Sequence, residues 1–222
     1  MQKNIAIVVA GGSGQRFGAD RPKQFLKLKD REILAYSVET FQRNAVIARV
    51  IIVVSQDNLN AVAERYPEAQ VVAGGTTRQA SVIAGLDACD PDTDNVCIHD
   101  AARPLVTARI VQDCLAALEH SDGVAPVLLP ADSMVQLDQE GFTRLDRDSL
   151  RLVQTPQCFP YSVIKSALNS GADETDEIGL LQRVNPHARI TFIPGESSNL
   201  KITRGHDLAI AATYLEIGPE TV

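Results

Sequence analysis

The sequence predicts an α/β protein: a Rossmann-like, mostly parallel sheet with helices on both faces, plus a short β-ribbon arm. Three observations predict it. Short β-branched runs alternate with segments whose apolar residues recur at helical spacing. The strand runs are almost continuously apolar, as strands covered on both faces must be. The alternation breaks once, after Ala131, into a stretch where apolar and polar residues take turns.

Taken in order, strands are expected at 4–9 (NIAIVV), 49–54 (RVIIVV), 70–74 (QVVAG), 95–100 (NVCIHD) and 123–129 (GVAPVLL). Helices fill the intervals at 31–44, 58–66, 78–89 and 108–120. Ile33, Leu34, Val38 and Phe41 share one face of the first, and Ile110, Cys114, Leu115 and Leu118 one face of the last. Right-handed crossovers join such strands into a parallel sheet. Beyond Ala131, Met134 to Leu137 is expected to pair with Thr143 to Leu145 across a turn at Asp138–Gly141. A two-stranded ribbon is marginal by itself, so a second subunit is expected to cover it. The chain returns through helices at 161–169 and 175–183, a strand at 188–193 and a final helix near 205–217. The whole reads as one domain, residues 1–222, with an arm at about 131–152.

At 222 residues the chain is long enough to build its core without disulfides or a structural metal. Lys and Arg number 21 against 28 Asp and Glu, a net charge of −7. That balance argues against nonspecific nucleic-acid or anionic-membrane binding, which needs a clustered basic surface. Any anion site is then a local exception. Cys89, Cys97, Cys114 and Cys158 form neither a C-x-x-C pair nor a zinc spacing, and are expected as reduced, buried thiols. The first apolar run is too short for a secretory leader and no stretch reaches the length of a membrane span, so a cytoplasmic location is expected.

The chemistry concentrates after the first strand, in AGGSGQRFGADRPKQFL. Gly11, Gly12 and Gly14 let bare backbone approach a ligand, and successive amides in such a turn form an anion-binding hollow. Arg16 offers a planar fork for phosphate oxygens and Lys23 a point charge, with Pro22 restricting the backbone before it. The loop is not a dinucleotide fingerprint, because Phe17 stands where the last glycine belongs. It is not a Walker A loop either, because no G-K-[ST] closes it. A polyphosphate bound by glycine backbone and two cations remains. Asp100 ends a buried strand where a ligand crevice opens, and suits Mg²⁺ or a substrate hydroxyl. The neighbouring His99 reads as structural, and Thr76 or Thr77 as the cap of the 78–89 helix.

AGGSGQRF…RPKQFL resembles the sugar nucleotidyltransferase signature. Together with HDAARPLV (99–106), TPQCF (155–159), TDE (175–177) and NLKITRGHDL (199–208), the chain resembles the 2-C-methyl-D-erythritol 4-phosphate cytidylyltransferase family from about residue 5 to 215. The resemblance implies a glycosyltransferase-A-like fold and transfer of CMP from CTP to the 4-phosphate of methylerythritol phosphate, with pyrophosphate released, in non-mevalonate isoprenoid synthesis. It implies that Ala10, Gly11, Gly12, Ser13 and Gly14 meet the nucleotide, with Gly75, Arg78 and Ser81 on a second base-facing loop. Arg16 and Lys23 would hold the triphosphate. Asp100, Ala101, Arg103 and Lys201 would meet the sugar phosphate, Asp100 also serving the nucleotide and Mg²⁺. Ser133, Thr155 and Thr175 would add hydroxyl contacts. The arm would cross to a partner in a homodimer, where its Arg147 completes the partner's site.

Two other activities fit parts of the pattern. A ribitol-5-phosphate cytidylyltransferase shares the glycine loop, H-D-x-x-R-P and T-P-Q-x-F, but the small residues of HDAARP and the short chain favour methylerythritol phosphate. A regulatory module without turnover would be free to lose Lys23, Asp100 or Lys201, and all three are present.

Overall fold

The computed structural model describes residues 2–12 and 22–218. The chain opens with β1 (Asn4–Ala10), a two-residue hairpin of β2 (Lys27–Leu28) and β3 (Arg31–Glu32), and α1 (Ile33–Gln42). It continues through β4 (Arg49–Val54), α2 (Leu59–Arg65), β5 (Gln70–Ala73), α3 (Arg78–Asp87), β6 (Asn95–Asp100), α4 (Ala108–Ala117) and β7 (Gly123–Leu128). The arm is β8 (Met134–Leu137) and β9 (Phe142–Leu145). Then come β10 (Leu152–Val153), β11 (Gln157–Pro160), α5 (Tyr161–Leu168), α6 (Glu177–Val184), β12 (Ile190–Pro194) and α7 (Gly205–Ile217).

The main sheet runs β5-β4-β1-β6-β11-β7, with β10 and β12 also paired to β7. The pairs β1–β4, β1–β6, β4–β5 and β7–β12 are parallel. β11 and β10 run antiparallel to their neighbours. The parallel part of the sheet follows the expectation from sequence. The antiparallel β11, slotted between β6 and β7, does not. Its four residues begin with a buried glutamine and end with a proline, so they carry no strand period to read.

Alternate residues of each central strand enter opposite helix layers, which explains the continuous apolar runs. Ala6 and Val8 of β1 join Val50 and Ile52 of β4 under α1, α2 and α4, around Phe41 and Ile110. Ile5 and Ile7 join Ile51 and Val53 under α3, α5 and α6, around Leu86 and Ile164. Each such side chain contributes about 1.5–3 kcal/mol on burial. Gly85 brings α3 close to the sheet: a Cβ there would lie 2.5 Å from Ile7 Cγ2 and 3.0 Å from Val53 Cγ2. A third, smaller cluster joins Leu28 and Ile33 to Ile202 and Ala211, so α7 docks on the β2–β3 hairpin. That contact brings segments more than 170 positions apart in sequence together.

The ribbon forms in the expected register, Met134 opposite Leu145 and Gln136 opposite Thr143. Val135, Leu137 and Phe142 stay 50%, 77% and 69% exposed, so among the described residues nothing covers these apolar side chains.

Candidate active site

After β1 the chain moves to β4 and β5 on one side, then returns to β6 on the other. The order therefore reverses between β1 and β6, and in such sheets a crevice opens there beyond the carboxyl ends of the strands. A cavity of about 520 Å³ lies at this place. Ala10, Gly11 and Gly12 from the end of β1 line it, with Asp100 and Ala101 from the end of β6. Gly75, Arg78 and Ser81 come from the turn after β5 and the first turn of α3, Lys23 from the short turn before β2, and Lys201 from the loop before α7. Sequence segments nearly 200 residues apart thus converge on one pocket. Among the described residues three of its side chains are cationic and one anionic in a chain of net charge −7, the local exception that an anion site requires.

The backbone around it is tied down by buried amides. Gln24 Nε2 donates to the carbonyls of Ala10 (2.5 Å) and Gly12 (3.2 Å), locking the start of the glycine loop to the turn that carries Lys23. Gly12 lines the cavity, and apart from its chain neighbours no described residue lies within 4 Å of where its Cβ would sit. Thr77 caps α3 by accepting from the Ala80 amide at 3.0 Å, and Ser81 Oγ donates to the Thr77 carbonyl at 2.9 Å. Asn199, fully buried, donates from Nδ2 to the Thr155 carbonyl at 2.9 Å. The Asn199 carbonyl accepts from Arg103 Nη1 at 2.8 Å, and Ile202 N donates to the Ala102 carbonyl. Asp207 Oδ2 accepts from Thr203 and Arg204 amides and closes the first turn of α7. Lys201 is therefore presented from a loop fixed at both ends. Lys23 Nζ donates to the carbonyl of Ile202, 2.8 Å away, in that same loop.

The charges form a chain. Lys201 Nζ lies 2.7 Å from Asp100 Oδ2, and Arg78 Nε 3.1 Å from Asp100 Oδ1. Arg78 turns its other edge to Glu177, with Nη1 and Nη2 donating at 2.6 and 2.9 Å. Burial alone would push the Asp100 carboxyl up, but the Arg78, Lys201 and Arg103 cations outweigh it and hold it well below the usual carboxylate range. Burial likewise works against the Arg78 charge, and Glu177 and Asp100 more than restore it. His99 is enclosed: Nδ1 pairs with Thr155 Oγ1 and Nε2 with the Arg103 carbonyl, both at 3.1 Å. Desolvation pushes its pKa down to about 4, so at neutral pH the ring is uncharged and structural, as its sequence context suggests.

Among the described residues the structure brings together Ala10, Gly11, Gly12, Lys23, Gly75, Arg78, Ser81, Asp100, Ala101 and Lys201. Ser13, Gly14 and Arg16 lie outside the described residues. Arg103 sits behind Asp100, largely buried, and its Nε has no hydrogen-bond partner. Thr155 is buried, its hydroxyl accepting from the Asp100 amide at 3.1 Å; it shapes the strand end that carries Asp100. Neither Arg103 nor Thr155 lines the cavity, and three exposed residues do not line it either: Ser133, Thr175 and Arg147, whose Nη1 donates to the Ala131 carbonyl at the root of the arm. Gln24, Asn199 and Glu177 were not expected from sequence. A glutamine, an asparagine and a glutamate inside otherwise quoted motifs were the only signal, and burial is what distinguishes them.

The comparisons agree with this geometry. The family model described as 2-C-methyl-D-erythritol 4-phosphate cytidylyltransferase matches residues 4–217. A protein of that name from Clostridium novyi is 36% identical, covering 97% of this chain and 98% of its own. Another, from Thermobifida fusca, is 36% identical over 96% and 93%. Among solved structures, 4-diphosphocytidyl-2C-methyl-D-erythritol synthase from Anaerococcus prevotii superposes with a TM-score of 0.86 at 25% identity, over 97% and 96% of the two chains. The 2-C-methyl-D-erythritol 4-phosphate cytidylyltransferase from Thermus thermophilus gives 0.79 at 27% identity, over 95% and 98%. With its cation-lined crevice at the strand switch point and a match along nearly its whole length, this chain belongs to the 2-C-methyl-D-erythritol 4-phosphate cytidylyltransferase family.

Proposed function

We propose that this protein transfers CMP from CTP to the 4-phosphate of 2-C-methyl-D-erythritol 4-phosphate, giving 4-diphosphocytidyl-2-C-methyl-D-erythritol and pyrophosphate in isoprenoid biosynthesis. The observation that carries the reading is the convergence of Lys23, Arg78 and Lys201 on a glycine-lined crevice. An oxygen of the acceptor phosphate attacks the α-phosphorus of CTP. The bond from that phosphorus to the bridging oxygen breaks, and the electron pair leaves with pyrophosphate. The attacking phosphate is already ionised, so the step needs no general base. His99, neutral and with both ring nitrogens engaged, offers none. No covalent enzyme intermediate is required. The protein contributes positioning and fixed positive charge against the charge spreading over the transferring and leaving groups.

Lys23 and the glycine-loop amides hold the triphosphate, with Arg16 in the same role. Ser81 and the peptides of Gly11, Gly12 and Gly75 face the base and ribose. Lys201 and the buried Arg103 attract the acceptor phosphate. Asp100 suits Mg²⁺: its carboxylate is held ionised on the cavity wall, and Mg²⁺ takes one or two carboxylates beside phosphate oxygens. Among the described residues no cluster of three metal-ligating side chains exists, which fits an ion held largely by substrate. When bound, Mg²⁺ would neutralise phosphate charge as a Lewis acid.

The exposed apolar side chains of the arm support a homodimer in which Arg147 serves the neighbouring subunit's crevice, with Ser133 and Thr175 as hydroxyl contacts to the sugar phosphate. No helix among the described residues is long and apolar enough to cross a membrane. Four buried cysteines without a disulfide fit a reducing compartment, and we place the enzyme in the cytoplasm. Pyrophosphate release from CTP, assayed with methylerythritol phosphate and with ribitol 5-phosphate, tests the reading. Turnover with the first at least a hundredfold above the second is expected, and the reverse order would overturn the acceptor assignment.

A further inference from the structure

Glu177 is 2% exposed, and a carboxylate is almost never buried so completely unless it is paired. Its partner is Arg78, gripped by both oxygens in a fork-to-fork pair. The mount under Glu177 is rigid. Gln157 Oε1, itself buried on β11, accepts from the Glu177 and Ile178 amides at 3.1 and 3.0 Å. Asp176 caps the same helix by accepting from the Gly179 amide at 2.7 Å.

Because the guanidinium is planar, fixing two nitrogens fixes the third. Arg78 Nε then points at Asp100 Oδ1 across 3.1 Å, leaving Oδ2 to Lys201. Glu177 does not line the cavity, but Arg78 and Asp100 do. Freed of Glu177, the guanidinium would be drawn wholly to Asp100, the other carboxylate in its reach, closing both oxygens and shifting the wall that the nucleotide meets.

We propose that Glu177 is a positioning residue of the nucleotide pocket, acting through Arg78 on Asp100. The proposal rests on the cytidylyltransferase reading for its ligand, CTP, but its geometric core does not. Two measurements on the full chain separate the parts. In the ¹⁵N-labelled protein without ligand, the Arg78 guanidinium resonances are identified by their loss in Arg78→Lys. In the wild type they are expected as separate, slowly exchanging signals, and in Glu177→Gln as signals displaced to new shifts by the re-paired guanidinium. Unchanged signals would overturn the proposal. By calorimetry with CTP and Mg²⁺, Glu177→Gln is expected to weaken binding at least tenfold, and Arg78→Ala comparably. The double variant is expected to be no weaker than Arg78→Ala alone, since Glu177 acts only through the guanidinium. Additive losses would assign Glu177 a merely structural role and overturn the proposal. If Glu177→Gln does not fold, Glu177→Asp keeps the charge at shorter reach and is expected to fall between wild type and Arg78→Ala, while wild-type affinity would contradict the proposal. Should the wild type bind no CTP, the functional reading fails and the resonance comparison decides the positioning claim by itself.

Discussion

Lys201 reaches across the crevice to Asp100, Nζ to Oδ2, over 2.7 Å. The contact joins the last loop of the chain to the end of the central strand β6. The other Asp100 oxygen holds Arg78, so the lysine and the guanidinium share one carboxylate. A phosphate that binds Lys201 competes for it with this carboxylate. Lys201→Met is expected to lower kcat/KM for methylerythritol phosphate at least a hundredfold, or about 3 kcal/mol of transition-state stabilisation. Steady-state kinetics at saturating CTP measures it, and an unchanged value would remove Lys201 from the acceptor site.

Lys23 faces the same crevice from the opposite limb, its Nζ at 2.8 Å from the Ile202 carbonyl. In the proposed reaction its charge meets the triphosphate as the leaving group departs. Lys23→Ala is expected to cut kcat at least a hundredfold, about 3 kcal/mol, with the far-ultraviolet dichroism and melting curve of the wild type. An unaltered kcat would show that the charge is not used in the transition state.

Arg147 stands on the arm, away from the cavity of its own chain. Arg147→Ala is expected to raise KM for the sugar phosphate at least tenfold and leave the CTP affinity within a factor of about two. Mixing Arg147→Ala with Lys23→Ala chains is expected to restore part of the activity, because one site of the mixed dimer then holds both residues. Loss of CTP binding in the single variant, or no recovery in the mixture, would contradict an arm that works in trans.

His99 links pH to stability. Its pKa falls from 6.5 to about 4 on folding because the ring is desolvated. Between those values the unfolded chain binds a proton that the folded chain refuses, so unfolding takes up protons and stability is lost as pH falls through this window. The contribution is fully present above 6.5 and amounts to about 3 kcal/mol. His99→Phe has no such group, and its unfolding free energy is expected to change less between pH 6.5 and 4 than that of the wild type. Parallel curves from denaturant titrations at several pH values would refute the assignment.

The parallel half of the fold was legible because its strands are buried on both faces and its helices on one, two patterns that period alone separates. The runs at 49–54 and 95–100 came out with the expected ends. β11 was not legible, since a four-residue strand that follows one proline and ends on another gives no period, and its place between β6 and β7 is set by packing of Cys158 and Phe159 in the core. In the site, Lys23, Arg78, Asp100 and Lys201 could be named from motifs. Their mutual distances could not, because the contacts span 22 to 179 positions in sequence. Gln24, Asn199 and Glu177 escaped notice for a different reason: a polar residue inside a motif reads as solvated until the fold buries it.

The most direct test is a crystal structure of the protein with CTP and Mg²⁺. The triphosphate is expected in the crevice between β1 and β6, within hydrogen-bond distance of the Gly11 and Gly12 amides and of Lys23 Nζ, with the cytosine facing Ser81. A nucleotide bound elsewhere on the surface, with Lys23 still on the Ile202 carbonyl and turned from every phosphate, would contradict the proposed assignment of this crevice to the triphosphate.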